Sequence, residues 1–418
     1  MQRFVAALAA CGGALLLPVA CTESPPVPTQ PVAGPALAAV STGGGPTVYA
    51  TGLTSPRNLK FGPDGLLYVS EGGIGGDLNP TGVDADGHPC PPVDNMFTVP
   101  GPYGSGYTGK VSRVSPDGHV ETIASHLPSS HDGTNYVLGV TDVAFVPWDR
   151  DDGNADGEGR DERPFLVRGQ ALYALIEGGG CSRGLPRSPA GVIRINRDGS
   201  FRYVADISAW IRTHPNAVPQ PPGPSGDEEP DGVPHMMISV GRLFYVVETN
   251  HNFLLEVNPR TGAIRALADF SALLGEDVNP IVIEHRGSDF YVGDFGTSGG
   301  AARLWKAGTV DGRPGRFSII DATFNPIVGL AFADHTLSTL ETFLIDNPFA
   351  PNTSRAVRRN ADGSHSVIAG GLNFAIGLTR GPDGALYAST TAYGLANDPN
   401  VPDAHLAVGI GKIVRFTP

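Results

Sequence analysis

The chain has 418 residues, among them 56 glycines and 38 prolines, and charged side chains make up only 17% of it. That composition excludes an architecture of long amphipathic helices and favours many short strands joined by turns. A formal net charge of −13, with no dense Lys/Arg cluster, excludes nucleic acid as a partner, because holding a polyanion requires a basic surface that displaces counterions.

The chain opens on a targeting segment. Arg3 supplies a thin positive start and Phe4 to Ala20 is an apolar run rich in Ala and Leu, so residues 1–21 read as a signal peptide. The run is too short, and too closely followed by prolines, for a membrane span. Val19-Ala20-Cys21 resembles a lipobox in which Cys21 would be acylated, although Pro18 stands where Leu is preferred; Ala36-Leu37-Ala38 is an ordinary small-x-small cleavage pattern. Both routes stay open, and the Pro/Ala/Gly-rich stretch 22–46 is either a tether or part of what is removed. The folded part is expected to be exported: secreted, periplasmic or lipid-anchored at the envelope, touching a membrane only through such an anchor. Cys11 and Cys21 fall in the leader, which leaves Cys90 and Cys181 to pair as a disulfide in an oxidising compartment. Their spacing fits no zinc template.

From about Thr47 a single motif recurs. Gly62-Pro63-Asp64-Gly65-Leu66-Leu67-Tyr68-Val69-Ser70-Glu71 is a tight turn followed by a short apolar strand that stops at a carboxylate. It returns as Gly381-Pro382-Asp383-Gly384-Ala385-Leu386-Tyr387-Ala388-Ser389-Thr390, with degraded copies at 241–248 and 288–294. A repeated hairpin, spaced about 47 residues apart among the later blades and with no helical pattern between copies, predicts an all-β chain folded as one six-bladed β-propeller over residues 47–418. Innermost strands are expected at 58–61, 140–145, 235–240, 281–284, 328–332 and 376–379. The last blade runs out of chain after three strands, and Val48 to Thr51 is expected to supply its fourth beside Lys412 to Phe416, closing the ring and removing its open edges.

With these residues in view, the stretch from Thr54 to Glu71 resembles the first blade of the ScyD/ScyE family of exported bacterial propellers. Asp231 to Val257 is similar to that family's third blade, and Phe290-Tyr291-Val292-Gly293 with Ala301-Ala302-Arg303-Leu304-Trp305 to its fourth. The more distant resemblance is to six-bladed propellers of the NHL and gluconolactonase type. The first resemblance implies export and a propeller fold, with no defined activity. The second implies that axial carboxylates hold a cation that polarises an ester carbonyl.

Candidate site residues follow from the topology, since loops entering first strands and leaving second strands open on one face around the axis. The exits bring Glu71, Glu177, Glu248 with Asn250 and His251, Asp294 and Glu341 to that ligand face; the entrances add Arg57, Asp142 and His235. Carboxylates converging on an axis repel unless paired, protonated or bound to a cation such as Ca²⁺. The alternative is that each accepts backbone N–H groups from its own loop. If the protein is catalytic, Glu248, His251, His235 and Asp294 are the candidates. The expected function is binding of a small molecule or protein partner at this face by a monomer; the alternative is a calcium-assisted hydrolase or lyase. A second metal candidate is Asp152-Gly153-Asn154-Ala155-Asp156-Gly157, an EF-hand-like opening in which Asp152, Asn154, Asp156, Glu158 and Glu162 would bind Ca²⁺. No H-E-x-x-H pair or phosphate-cradling glycine loop is present, and no nucleotide or redox cofactor is expected.

Overall fold

The repeated motif begins as a turn held by its own aspartate. In blade one Gly65 sits at φ +82°, a left-handed conformation open to glycine, and its N–H donates to Gly62 O at 2.9 Å. Asp64 accepts from Leu66 N at 3.2 Å and from the Tyr68 hydroxyl at 3.1 Å. Blade six repeats this bond for bond: Gly384 N to Gly381 O at 3.0 Å, Ala385 N to Asp383 at 3.2 Å and Tyr387 hydroxyl to Asp383 at 2.9 Å.

This computed structural model describes residues 45–77, 103–131, 136–149, 163–219, 229–296, 301–333, 335–347, 350–392 and 408–418. They form six antiparallel sheets. Blade one contains Pro56–Phe61, Leu67–Glu71, Gly104–Val114 and Val120–His131. Blade two contains Val140–Pro147, Gln170–Ile176, Gly191–Ile195 and Phe201–Asp206. Blade three contains Pro234–Val240, Leu243–Glu248, Phe253–Val257 and Ile264–Asp269. Blade four contains Pro280–Arg286, Asp289–Asp294, Ala302–Val310 and Ser318–Phe324. Blade five contains Ile327–Ala333, Thr336–Glu341, Ser354–Arg359 and His365–Leu372, and blade six contains Leu378–Arg380, Leu386–Thr390 and Gly411–Phe416. Thr47–Leu53 completes the sixth sheet, with Val48 opposite Val414 and Thr51 opposite Lys412. The first strands pack side by side around the axis, blade one against both two and six. The fold is therefore a six-bladed β-propeller closed by strands from both ends of the chain.

The tyrosine of the motif is what joins one blade to the next. Tyr68 meets Phe145 of blade two at 4.9 Å between ring centroids, Tyr173 meets Phe244 at 5.0 Å, Tyr245 meets Phe290 at 5.0 Å, Tyr291 meets Phe332 at 5.0 Å and Tyr387 meets Phe61 at 5.1 Å. Most are edge-to-face, the arrangement favoured by the ring quadrupole, and each adds about 0.5–1.5 kcal/mol beyond its buried area. Blade five has Ser338 at the equivalent position and lacks this contact.

Two local features differ from the sequence expectation. In blade one the sequence pattern reads as third and fourth strands over 110–114 and 120–124, but both run well past these bounds, because Gly104, Ser105 and Gly106 pair with His131, Ser130 and Ser129; a Gly/Ser-rich stretch reads as loop although it lies in a ladder. Two helices of five residues, Ile207–Ile211 and Phe270–Leu274, follow the outer strands of blades two and three, N-capped by Asp206 and Asp269. Such short segments carry no readable 3.6 periodicity.

Candidate functional site

Four of the six second strands end on a carboxylate directly across the ladder from the start of the first strand: Glu71 faces Pro56, Glu248 faces Pro234, Asp294 faces Pro280 and Glu341 faces Ile327. All are buried. Sequence position alone does not distinguish them, but their hydrogen bonds do. Glu71 accepts from Thr54 N at 2.6 Å and from the Ser112 hydroxyl, while Gly72 N goes to Ser55 O instead. Glu248 accepts Val233 N at 2.6 Å and His251 N at 2.7 Å; burial would raise its pKa, and His251 with these two N–H groups outweighs that and holds it below the usual range. Asp294 takes Arg303 N at 2.8 Å, Arg303 Nε at 2.7 Å, Trp305 Nε1 at 2.9 Å and Gly296 N at 3.0 Å. Glu341 takes Asn325 N and Nδ2, both at 3.0 Å, and Arg355 Nε at 2.5 Å. Those four carboxylates tie together the loops of their own blades.

Glu177 is different. It follows the second strand of blade two, wholly buried, and accepts no backbone N–H from the described residues. Its Oε1 lies 3.2 Å from Nδ1 of His235 at the start of blade three, itself 2% exposed. Burial would push the Glu177 carboxyl up, but His235, Arg57 and Arg183 outweigh it and hold the group below the usual range. A carboxylate only accepts, so Nδ1 is the donor, and in a neutral imidazole Nε2 is then an acceptor. Glu177 Oε2 and His235 Nε2 are both buried and have no hydrogen-bond partner among the described residues. A buried polar atom without a partner costs about 1–3 kcal/mol, so Glu177 Oε2 calls for a donor and His235 Nε2 for a group, such as a hydroxyl, that can both donate and accept. Arg57, fully buried, completes the surroundings and lies over the Tyr136 ring at 5.2 Å.

A second layer fixes the pair. Arg183, in the loop after Glu177, donates Nη1 to Glu177 O at 2.9 Å and Gly179 O at 2.8 Å, and Nη2 to Gly232 O at 2.9 Å and to the Glu229 carboxylate. Tyr103 of blade one donates to the same carboxylate at 2.6 Å, and Asn250 accepts from Glu229 N. Blades one, two and three are thereby locked around Glu177 and His235. Asn250 serves this scaffold, whereas His251 contacts Glu248.

The other end of the axis, where the first strands finish, is a separate feature. A cavity of about 470 Å³ opens there, lined by Lys60, Phe61, Phe145, Ile238, Glu284 and Arg380 among others. At its floor Lys60 Nζ spends its donors on Asp142 at 2.5 Å, Val143 O at 3.0 Å and Met237 O. Asp142 in turn accepts Val143 N at 2.8 Å and Met237 N at 2.9 Å. The half-buried Glu284 has one hydrogen bond, from His285 N at 2.9 Å, and burial pushes its pKa up to about 7.

Sequence reasoning missed Arg183, Glu229, Tyr103 and Glu284. Glu229 lies in a Pro-rich acidic stretch that looks like solvated loop; Glu284 carries a legible signal, since it closes the expected first strand 281–284, but a reading by second-strand exits passes over it. The proposed calcium residues Asp152, Asn154, Asp156, Glu158 and Glu162, together with Cys21 and Cys90, lie outside the described residues. Cys181 is disulfide-bonded. Among the described residues no group of three His, Cys, Asp or Glu side chains is placed to hold one metal ion.

Fold and site together define a six-bladed propeller with a polar axis. Among solved structures, the chain is similar to regucalcin, a calcium-binding protein from Agrobacterium tumefaciens, at 12% identity over 91% of this chain and 97% of that one, with a TM-score of 0.50. It is also similar to a putative oxidoreductase (glucose dehydrogenase) from Thermus thermophilus, at 16% identity over 89% and 99% with a TM-score of 0.47. A third is the PQQ-bound aldose sugar dehydrogenase from Streptomyces coelicolor, at 13% identity over 89% and 96%, again with a TM-score of 0.47. No protein-family model and no curated protein matches the chain. The regucalcin likeness supports the fold and carries no chemistry.

Proposed function

We propose that the protein is an exported propeller of the ScyD/ScyE kind that binds a small hydroxylic ligand on its axis, between Glu177 and His235. The observation behind this reading is the pair of buried polar atoms, Glu177 Oε2 and His235 Nε2, that have no partner among the described residues and are held in place by the Arg183–Glu229–Tyr103 layer. A ligand hydroxyl satisfies one or both by donation, and Arg57 supplies positive charge beside the carboxylate. The same geometry favours one second reading. Glu177 orients Nδ1 and leaves Nε2 as a general base for a hydrolase or lyase, without requiring the other four carboxylates. The test is a thermal-shift titration with 1,2-propanediol in wild type and Glu177→Gln. Wild type is expected to gain stability with diol concentration and the variant to gain at least severalfold less. Equal shifts in both would remove the site.

Two further proposals concern segments outside the described residues. Cys181 pairs with Cys90, and peptide mapping of unreduced protein should recover that link; recovery of Cys90 as a free thiol would refute it. Residues 152–162 bind Ca²⁺ and order their own insertion, so calcium should raise the melting temperature of wild type but not of Asp152→Ala/Asp156→Ala. An equal rise in both would place the calcium elsewhere.

A further inference from the structure

We infer that the cavity at the opposite end of the axis is a second binding site, specific for a primary ammonium group carried on a small apolar body. The cavity is walled by Phe61, Phe145 and Ile238, which offer an apolar surface to the ligand's carbon frame. Its floor is electrically spent: Lys60 is paired with Asp142, and its remaining donors go to two carbonyls. What is left in the wall is the Glu284 carboxylate. Its one hydrogen bond comes from its neighbour's N–H, and no cation lies within ion-pair distance of it among the described residues. Lys60 and Arg286 act on it only through space, and a half-buried carboxylate with no ion-paired partner gains most from a ligand that brings one, since an ammonium donates to its oxygens at the same time.

The charged groups around it do not fill that role. On its own strand, Arg286 is turned onto the Phe332 ring at 4.9 Å and toward His335 of blade five at 3.4 Å. His285 packs on Phe290 at 4.5 Å, and burial lowers its pKa, so it is neutral at neutral pH. Asp142 faces Glu284 from blade two as a like charge, already paired with Lys60 of blade one. Arg380 of blade six is exposed at the rim, and blade three presents only Ile238 and Ser239. Because Glu284 titrates near pH 7, the ammonium must displace its proton at lower pH. This inference is independent of the Glu177 reading.

Benzylamine and its neutral isostere benzyl alcohol separate the outcomes by calorimetry on the whole protein. The amine is expected to bind wild type about tenfold more tightly at pH 8 than at pH 6, and the alcohol much more weakly at both. Glu284→Gln should abolish amine binding, whereas Glu177→Gln should leave it unchanged. Comparable binding of the alcohol, amine binding that survives Glu284→Gln or is lost in Glu177→Gln, or no amine binding at all would each overturn the inference.

Discussion

Asp142→Ala is expected to cost about 3–5 kcal/mol of folding stability, among the largest losses any single polar substitution in this chain should cause. The carboxylate is wholly buried where blades one, two and three meet. It holds Lys60 Nζ at 2.5 Å and the backbone N–H groups of Val143 and Met237. Removing it strands a largely buried ammonium and two donors at once. Asp142→Asn should lose less, since its carbonyl oxygen still accepts. Removing both charges with Lys60→Met/Asp142→Leu should recover much of the loss, because a buried ion pair is costly to break but cheap to replace as a unit. Chemical denaturation of the three variants reads this out, and a loss below about 1 kcal/mol in Asp142→Ala would show that the pair does not anchor the axis.

Glu284→Gln should do the reverse, stabilising the protein by about 1–3 kcal/mol at pH 8 and by little at pH 4. Burial places the folded pKa near 7, above the ordinary carboxylate value of about 4.5. Below about 4.5 the group is protonated in folded and unfolded chains alike and contributes nothing to the difference. Between 4.5 and 7 the unfolded chain releases a proton that the folded site keeps, so stability falls as pH rises. Above 7 the penalty is complete. Glutamine can still accept from His285 N and carries no such penalty. A variant no more stable than wild type at pH 8 would mean that Glu284 finds a counter-charge in solution, and the ammonium site would lose its rationale as well.

The blade count and the closure of blade six by the N-terminal strand were legible in the sequence. They rest on local chemistry that repeats: Asp64 and Asp383 make the same turn, and Tyr68 and Tyr387 occupy the same place between blades. What each carboxylate does was not legible. Glu71 ends its second strand and Glu177 follows the second strand of blade two by one residue, yet one takes Thr54 N and Ser112 while the other faces His235 of the next blade. That difference is set by partners far away in sequence, which no repeat encodes. Arg183 and Glu229 escaped notice for the same reason: both sit in irregular loops, and only the closed ring brings them together.

The axial site can be tested at one point in the molecule, between Glu177 Oε2 and His235 Nε2. The decisive measurement is a high-resolution electron-density map of crystals soaked in 1,2-propanediol. The account predicts a ligand hydroxyl at a hydrogen-bonding distance of about 2.7–3.2 Å from one or both of these atoms, with the Arg183–Glu229 layer unmoved. A map in which the Arg57 guanidinium closes directly on Glu177 Oε2, leaving no ligand density beside His235, would contradict it.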